Sequence, residues 1–166
     1  MGKIKNKHYE KRKFESTGSP SDTSANIYMS MLTSAAWKEL TQRQQILYLY
    51  CKAQYYAEKK KPIKDDALSF TMNQSKWRGL YGLYKNYTNG FYNDINSLIE
   101  HGFIICIESG AIRRTKSIYS FSEKWQKYGT PDFEILPSEM TNSMLKKSFY
   151  ENKIKFFEPV CTFLLF

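Results

Sequence analysis

Residues 74–121 read QSKWRGLYGLYKNYTNGFYNDINSLIEHGFIICIESGAIRRTKSIYSF, and this stretch decides the fold. Asn73 ahead of Gln74-Ser75-Lys76-Trp77 gives a polar cap and a helix start. Tyr81-Gly82-Leu83-Tyr84 reads as a turn region. From about Asn89 to His101 the apolar residues Phe91, Ile95, Leu98 and Ile99 recur at helical spacing, and Gly102 stops that helix. Phe103 to Ile107 follows as a strand, Ser109-Gly110 as a turn, and Ile118 to Phe121 as the return strand. Arg113, Arg114 and Lys116 then fall where the hairpin projects into solvent.

Two helices joined by a turn and followed by a hairpin make the pattern of a winged helix-turn-helix, and most such domains bind DNA. The expected class is α+β, mainly α, with a small antiparallel sheet and a C-terminal helical extension. Upstream, Tyr28 to Leu40 reads as a short first helix with a lead-in segment. Thr41-Gln42-Arg43-Gln44 has the T-x-x-Q form of a capping box and launches a long helix, about Gln42 to Glu58. Its expected core face is Ile46, Leu47, Leu49, Tyr50, Ala53 and Tyr56, and Lys59-Lys60-Lys61-Pro62 ends it. Ala67 to Thr71 is a short strand, expected to complete a three-stranded sheet with the hairpin.

Beyond the hairpin, Ser122 caps a short helix through Trp125 and Tyr128 that Gly129 closes. A further helix is expected from Ser138 to about Asn152, and the end, Phe156 to Phe166, is unusually apolar. The chain therefore divides into a flexible basic arm (1–26), a winged-helix domain (27–137) and a C-terminal extension (138–166).

Composition narrows the function. In 166 residues, 42% are apolar, which suffices for a packed core, and 25 basic against 16 acidic side chains leave a net +9. The cations cluster at Lys3 to Lys13, at Lys59 to Lys64 and at the hairpin tip. Cys51, Cys106 and Cys161 form no C-x-x-C pair, so reduced packing thiols are expected rather than a disulfide or zinc frame. No run approaches the roughly 18 apolar residues of a membrane span, and the basic start lacks the apolar segment of a secretory signal. These features describe a cytoplasmic protein with no membrane partner.

Catalysis finds little support. His8 and His101 are the two histidines, and no metal-binding pair, P-loop, G-x-G-x-x-G or G-x-S-x-G occurs. Neither an enzyme nor a cofactor is expected. The second helix of a helix-turn-helix presents its N-terminal half to base edges. With its apolar face inward, Asn89, Tyr92, Asn93 and Asn96 (and less directly Ser97) are the base-reading candidates, since asparagine pairs bidentately with adenine. Lys76, Arg78 and Lys85 on one flank, and Arg113, Arg114 and Lys116 on the other, are candidates for the phosphate backbone. The competing interpretation makes the asparagines ordinary surface polars and the charged tip a solubility device.

The segment from about Tyr28 to Thr141 also resembles a family of small winged-helix proteins carried by Gram-positive conjugative and integrative elements. The resembling blocks are Tyr28-Met29-Ser30-Met31-Leu32-Thr33-Ser34, Leu47-Tyr48-Leu49-Tyr50-Cys51-Lys52-Ala53-Gln54, Phe70-Thr71-Met72-Asn73-Gln74, Phe91-Tyr92-Asn93-Asp94-Ile95 with Gly102-Phe103-Ile104, and Arg114 to Ser122. The resemblance implies a non-catalytic accessory protein of a mobile element that binds double-stranded DNA, at the transfer origin or in replication. A relaxase or replication proteins of the same element would be its partners. Within DNA binding the alternatives are a transcriptional repressor or a replication initiator. Outside it, the alternative is a winged-helix interaction module without DNA binding. The oligomeric state is left open.

Overall fold

The computed structural model describes residues 25–58, 68–72, 82–84, 88–110 and 115–157. The basic arm to residue 24, the cluster Lys59 to Lys64, the helix expected from Gln74, and the apolar end beyond residue 157 lie outside them. The described chain is α+β, with helices around one three-stranded antiparallel sheet.

The helix expected over Tyr28–Leu40 is two, α1 (Met29–Leu32) and α2 (Ala35–Glu39). Ser34 breaks the run because its extended backbone (φ −66°, ψ 153°) makes it an N-cap, its Oγ accepting from Trp37 N at 3.2 Å. α3 spans Gln42–Glu58 as the capping box requires. The Gln44 side chain accepts from Thr41 N at 2.8 Å, and Thr41 Oγ1 accepts from Gln44 N at 3.4 Å.

The buried face of α3 overlaps the expected one: Leu47 is buried, and Leu49 and Tyr50 pack partly buried against the core. Tyr48 and Cys51 are buried as well, whereas Ile46 is 41% exposed. Aromatic packing explains the place of Tyr48. Tyr48 meets Trp37 edge-on at 5.9 Å, Phe121 edge-on at 5.8 Å and Phe103 at 5.0 Å, so its ring is drawn inward.

β1 (Ser69–Thr71) pairs with β3 (Ile118–Phe121), which pairs in turn with β2 (Ile104–Glu108), giving the strand order β1-β3-β2. The central strand buries Tyr119 and Ser120, and Phe70 stacks on Phe121 at 4.8 Å. The hairpin is longer than the two-residue turn expected at Ser109-Gly110. Its neck is closed by Thr115 N to Gly110 O at 3.1 Å and Gly110 N to Ser117 Oγ at 3.1 Å. A Cβ on Gly110 would fall 2.0 Å from Thr115 O, so the neck requires glycine.

Between β1 and β2 runs α4 (Thr88–Glu100). Phe91, Ile95, Leu98 and Ile99 are all buried, as the spacing predicts. Gly102 ends the helix at φ +75°, with Gly102 N bonded to Ile99 O at 2.8 Å and Phe103 N to Leu98 O at 3.0 Å. That pair of bonds is a Schellman motif. After the sheet a 3₁₀ turn, Lys124–Lys127, stacks Trp125 on Phe103 at 5.9 Å. The last helix, α5, spans Asn142–Phe157; it starts later than expected because Met140 is extended and Thr141 Oγ1 caps Met144 N at 3.4 Å.

Candidate nucleic-acid interface

α4 separates two kinds of residue. Its inner side carries the apolar set and one charge, Asp94, whose side chain is 3% exposed. A carboxylate so deep must be satisfied by donors. Arg43 supplies two, Nε at 2.5 Å and Nη2 at 3.2 Å, Tyr84 donates its hydroxyl at 2.7 Å, and Gln44 Nε2 donates at 3.3 Å. The guanidinium also lies 5.5 Å from the Tyr84 ring centroid. The hydrogen bond to Asp94 raises the Arg43 pKa, and burial followed by its own hydrogen bond to Asp94 pushes the Tyr84 phenol up. The network joins the start of α3, the turn at 82–84 and the middle of α4, and so sets the rotation of α4 about its axis.

Sequence reasoning passed over Asp94 as a functional position. The signal was present: an acidic residue between Phe91 and Leu98, on the apolar side of the helix, demands a partner elsewhere in the chain.

On the outer side, Tyr92 is 48% exposed, its ring edge-on to Phe91 at 5.3 Å. Asn93 is exposed beside it, and its amide has no hydrogen-bond partner among the described residues. Asn89 belongs to the first turn of α4, but its side chain lies outside the described residues. Tyr92 and Asn93 face solvent in the half of α4 that precedes Asp94. Asn96 differs from the free amide expected of a base reader. Its Oδ1 accepts from Thr141 Oγ1 at 2.7 Å and its Nδ2 donates to Ser143 Oγ at 3.0 Å. Both ends of that amide are engaged by the start of α5, which folds back onto α4. Ser97 is turned toward His101 Nδ1 at 3.5 Å.

Among the expected phosphate contacts, Lys116 is exposed at the base of the hairpin, next to β3. Lys76, Arg78, Lys85, Arg113 and Arg114 lie outside the described residues.

His101 serves the scaffold. Its Nδ1 lies 2.8 Å from Ser97 O, so Nδ1–H caps the end of α4, and its ring stacks on Tyr128 at 4.9 Å. Tyr128 donates to Glu39 Oε2 at 2.7 Å, and that bond pushes the phenol up to about 12. Among the described residues no group of three or more His, Cys, Asp and Glu could hold a metal ion, and no helix is long and apolar enough to cross a membrane.

The outward surface of α4 thus offers an amide and a phenol, and the hairpin base offers an ammonium. Such groups can hydrogen-bond base edges and phosphate oxygens. No protein-family model, curated protein or solved structure matches this chain.

Proposed function

We propose that the chain is a non-catalytic winged helix-turn-helix protein that binds double-stranded DNA, with α4 as the reading helix and the β2–β3 hairpin as the wing. The supporting observation is the order helix–strand–helix–strand–strand with β3 central in the sheet, which leaves Tyr92 and Asn93 exposed on a helix whose opposite face is core. Asn89, Tyr92 and Asn93 read bases. Lys116 meets phosphate, together with Lys76, Arg78, Lys85, Arg113 and Arg114, and the net charge of +9 suits that partner. With the resemblance to mobile-element proteins, the role is that of an accessory factor in conjugative transfer or replication, acting beside a relaxase or replication proteins in the cytoplasm. Repression and replication initiation are variants of the same DNA-binding reading.

A test uses the full chain, a random duplex library and rounds of selection, followed by affinity measurement at several salt concentrations. Enrichment of a sequence, with affinity falling steeply as salt rises, supports the reading. Absence of duplex binding at low salt removes it and favours the interaction-module reading. That second reading draws on the apolar side chains Leu145, Phe149 and Tyr150, which α5 exposes.

A further inference from the structure

We infer that α5 shares the DNA-facing surface with α4, Lys146 contacting phosphate and the Asn96–Thr141–Ser143 hydrogen bonds holding the two helices in register. The inference rests on the DNA-binding reading above and extends it to the C-terminal helix.

The tie fixes which edges of the helices meet. Asn96 joins Ser143 at 3.0 Å and Thr141 at 2.7 Å, and the two hydroxyls lie 2.9 Å apart. On α4, the residues three and four before Asn96 are Asn93 and Tyr92, so both exposed groups stand one turn along the edge that carries the tie. On α5, the residues three, four and seven after Ser143 are Lys146, Lys147 and Tyr150, which share the edge that Ser143 presents to α4. Met144, about 100° round the helix from Ser143, is buried in the core.

Lys146 and Lys147 are exposed, Tyr150 is 65% exposed, and Lys146 has no hydrogen bond or ion pair among the described residues. The helix as a whole carries Lys146, Lys147, Lys153 and Lys155 against Glu151. A strip therefore runs from Tyr92 and Asn93, across the tie, to Lys146. It places base-reading and phosphate-binding chemistry side by side. Glu100, one turn beyond Asn96 and close enough to Tyr128 to act on its phenol, marks the acidic limit of the strip. The engaged amide of Asn96 is then a positioning group, with no base of its own to read.

The experiment measures duplex affinity against salt for the full-length wild type, Lys146→Ala, Lys146→Glu, Asn96→Ala and the Asn96→Ala/Lys146→Ala double variant. Lys146→Ala should weaken all duplexes alike and reduce the magnitude of the log–log salt slope by about 0.9, the value of one lost phosphate contact. Lys146→Glu should weaken binding further. In the Asn96→Ala background the effect of Lys146→Ala should shrink, because the lysine is no longer held at the strip. If the wild type binds duplex while both Lys146 variants keep its affinity and slope, the inference is overturned and the DNA-binding reading survives. A gain of affinity in Lys146→Glu or Asn96→Ala also overturns it, making α5 a cover over α4. If the wild type binds no duplex, the reading and the inference fall together. Should Asn96→Ala fail to fold, the two Lys146 variants still decide.

Discussion

Arg43 Nε stands 2.5 Å from Asp94 Oδ2, across 51 residues of sequence, and joins the first turn of α3 to the middle of α4. The two partners are unequal: the Arg43 side chain is 46% exposed, while Asp94 is buried. Water already reaches the guanidinium and can replace the carboxylate there, whereas the buried carboxylate depends on protein donors. The exposed neighbours Tyr92 and Asn93 depend on this pair for their direction, since a helix turned about its axis would bury one of them.

That asymmetry makes a stability prediction. Arg43→Ala strands the Asp94 carboxylate with Tyr84 and Gln44 as its donors, at a cost of about 3 kcal/mol. Asp94→Ala instead leaves the buried Tyr84 hydroxyl without an acceptor, which costs roughly 1–3 kcal/mol. The double variant should lose less than the sum of the two, because both single changes remove the two Arg43–Asp94 bonds. Urea unfolding of the four proteins measures this. Strict additivity would mean that the pair contributes no coupling.

Much of the fold was legible because its signals are local. The capping box at Thr41, the apolar spacing of α4, the glycine stops and the boundaries of β3 depend on residues a few positions apart, and each appears as expected. Misreadings arose where distant packing decides. Tyr48 turns inward because Trp37, Phe103 and Phe121 surround it, and Asn96 is engaged because α5 returns to α4. Neither partner set is near in sequence. The Asp94 network lay between these cases, since the charge was visible on the apolar side and its partners were not.

Two glycines with the same backbone sign should respond differently to alanine. Gly102 (φ +75°) and Gly129 (φ +80°) both occupy the left-handed region, where a side chain costs about 1–2 kcal/mol. At Gly102 the new Cβ would also sit 2.7 Å from Trp125 N and 2.8 Å from Lys124 C, both backbone atoms. At Gly129 it would meet nothing within 4 Å. Gly102→Ala should therefore cost at least twice as much as Gly129→Ala in chemical denaturation. Equal losses would show that the 3₁₀ turn moves away from α4 without penalty.

The thiols give a direct reading of core integrity. Burial pushes the Cys51 thiol well up from its ordinary range, and the Cys106 thiol up to about 11. Only a thiolate reacts with a disulfide reagent. With Cys161→Ser in place to silence the thiol outside the described residues, native protein at pH 8 should react slowly, and urea should release both groups together. Because burial raises the folded value, the stability from the Cys106 thiol is full below pH 9 and is lost as pH rises toward about 11. A cysteine that labels at once at pH 8 would place its strand or helix outside the core.

The two asparagines of α4 should part company in a single experiment. Asn93 is exposed with its amide unengaged among the described residues, so Asn93→Ala should leave the thermal midpoint nearly unchanged. If that amide reads a base, preference for the selected site over random duplex should fall by about 1–3 kcal/mol. Asn96→Ala removes two hydrogen bonds to α5, each of a kind that contributes about 0.5–1.5 kcal/mol net, so its first effect should be a lower midpoint. Its loss of duplex affinity should follow from the displaced helix and extend to all sequences alike. Calorimetry and competition binding on the same three proteins separate the two roles. A selective loss of site preference in Asn96→Ala, with the midpoint unchanged, would reverse the assignment and make Asn96 the reader. An unchanged preference in Asn93→Ala would remove the middle of α4 from base contact, leaving recognition to the helix start, the hairpin and the shape of the duplex.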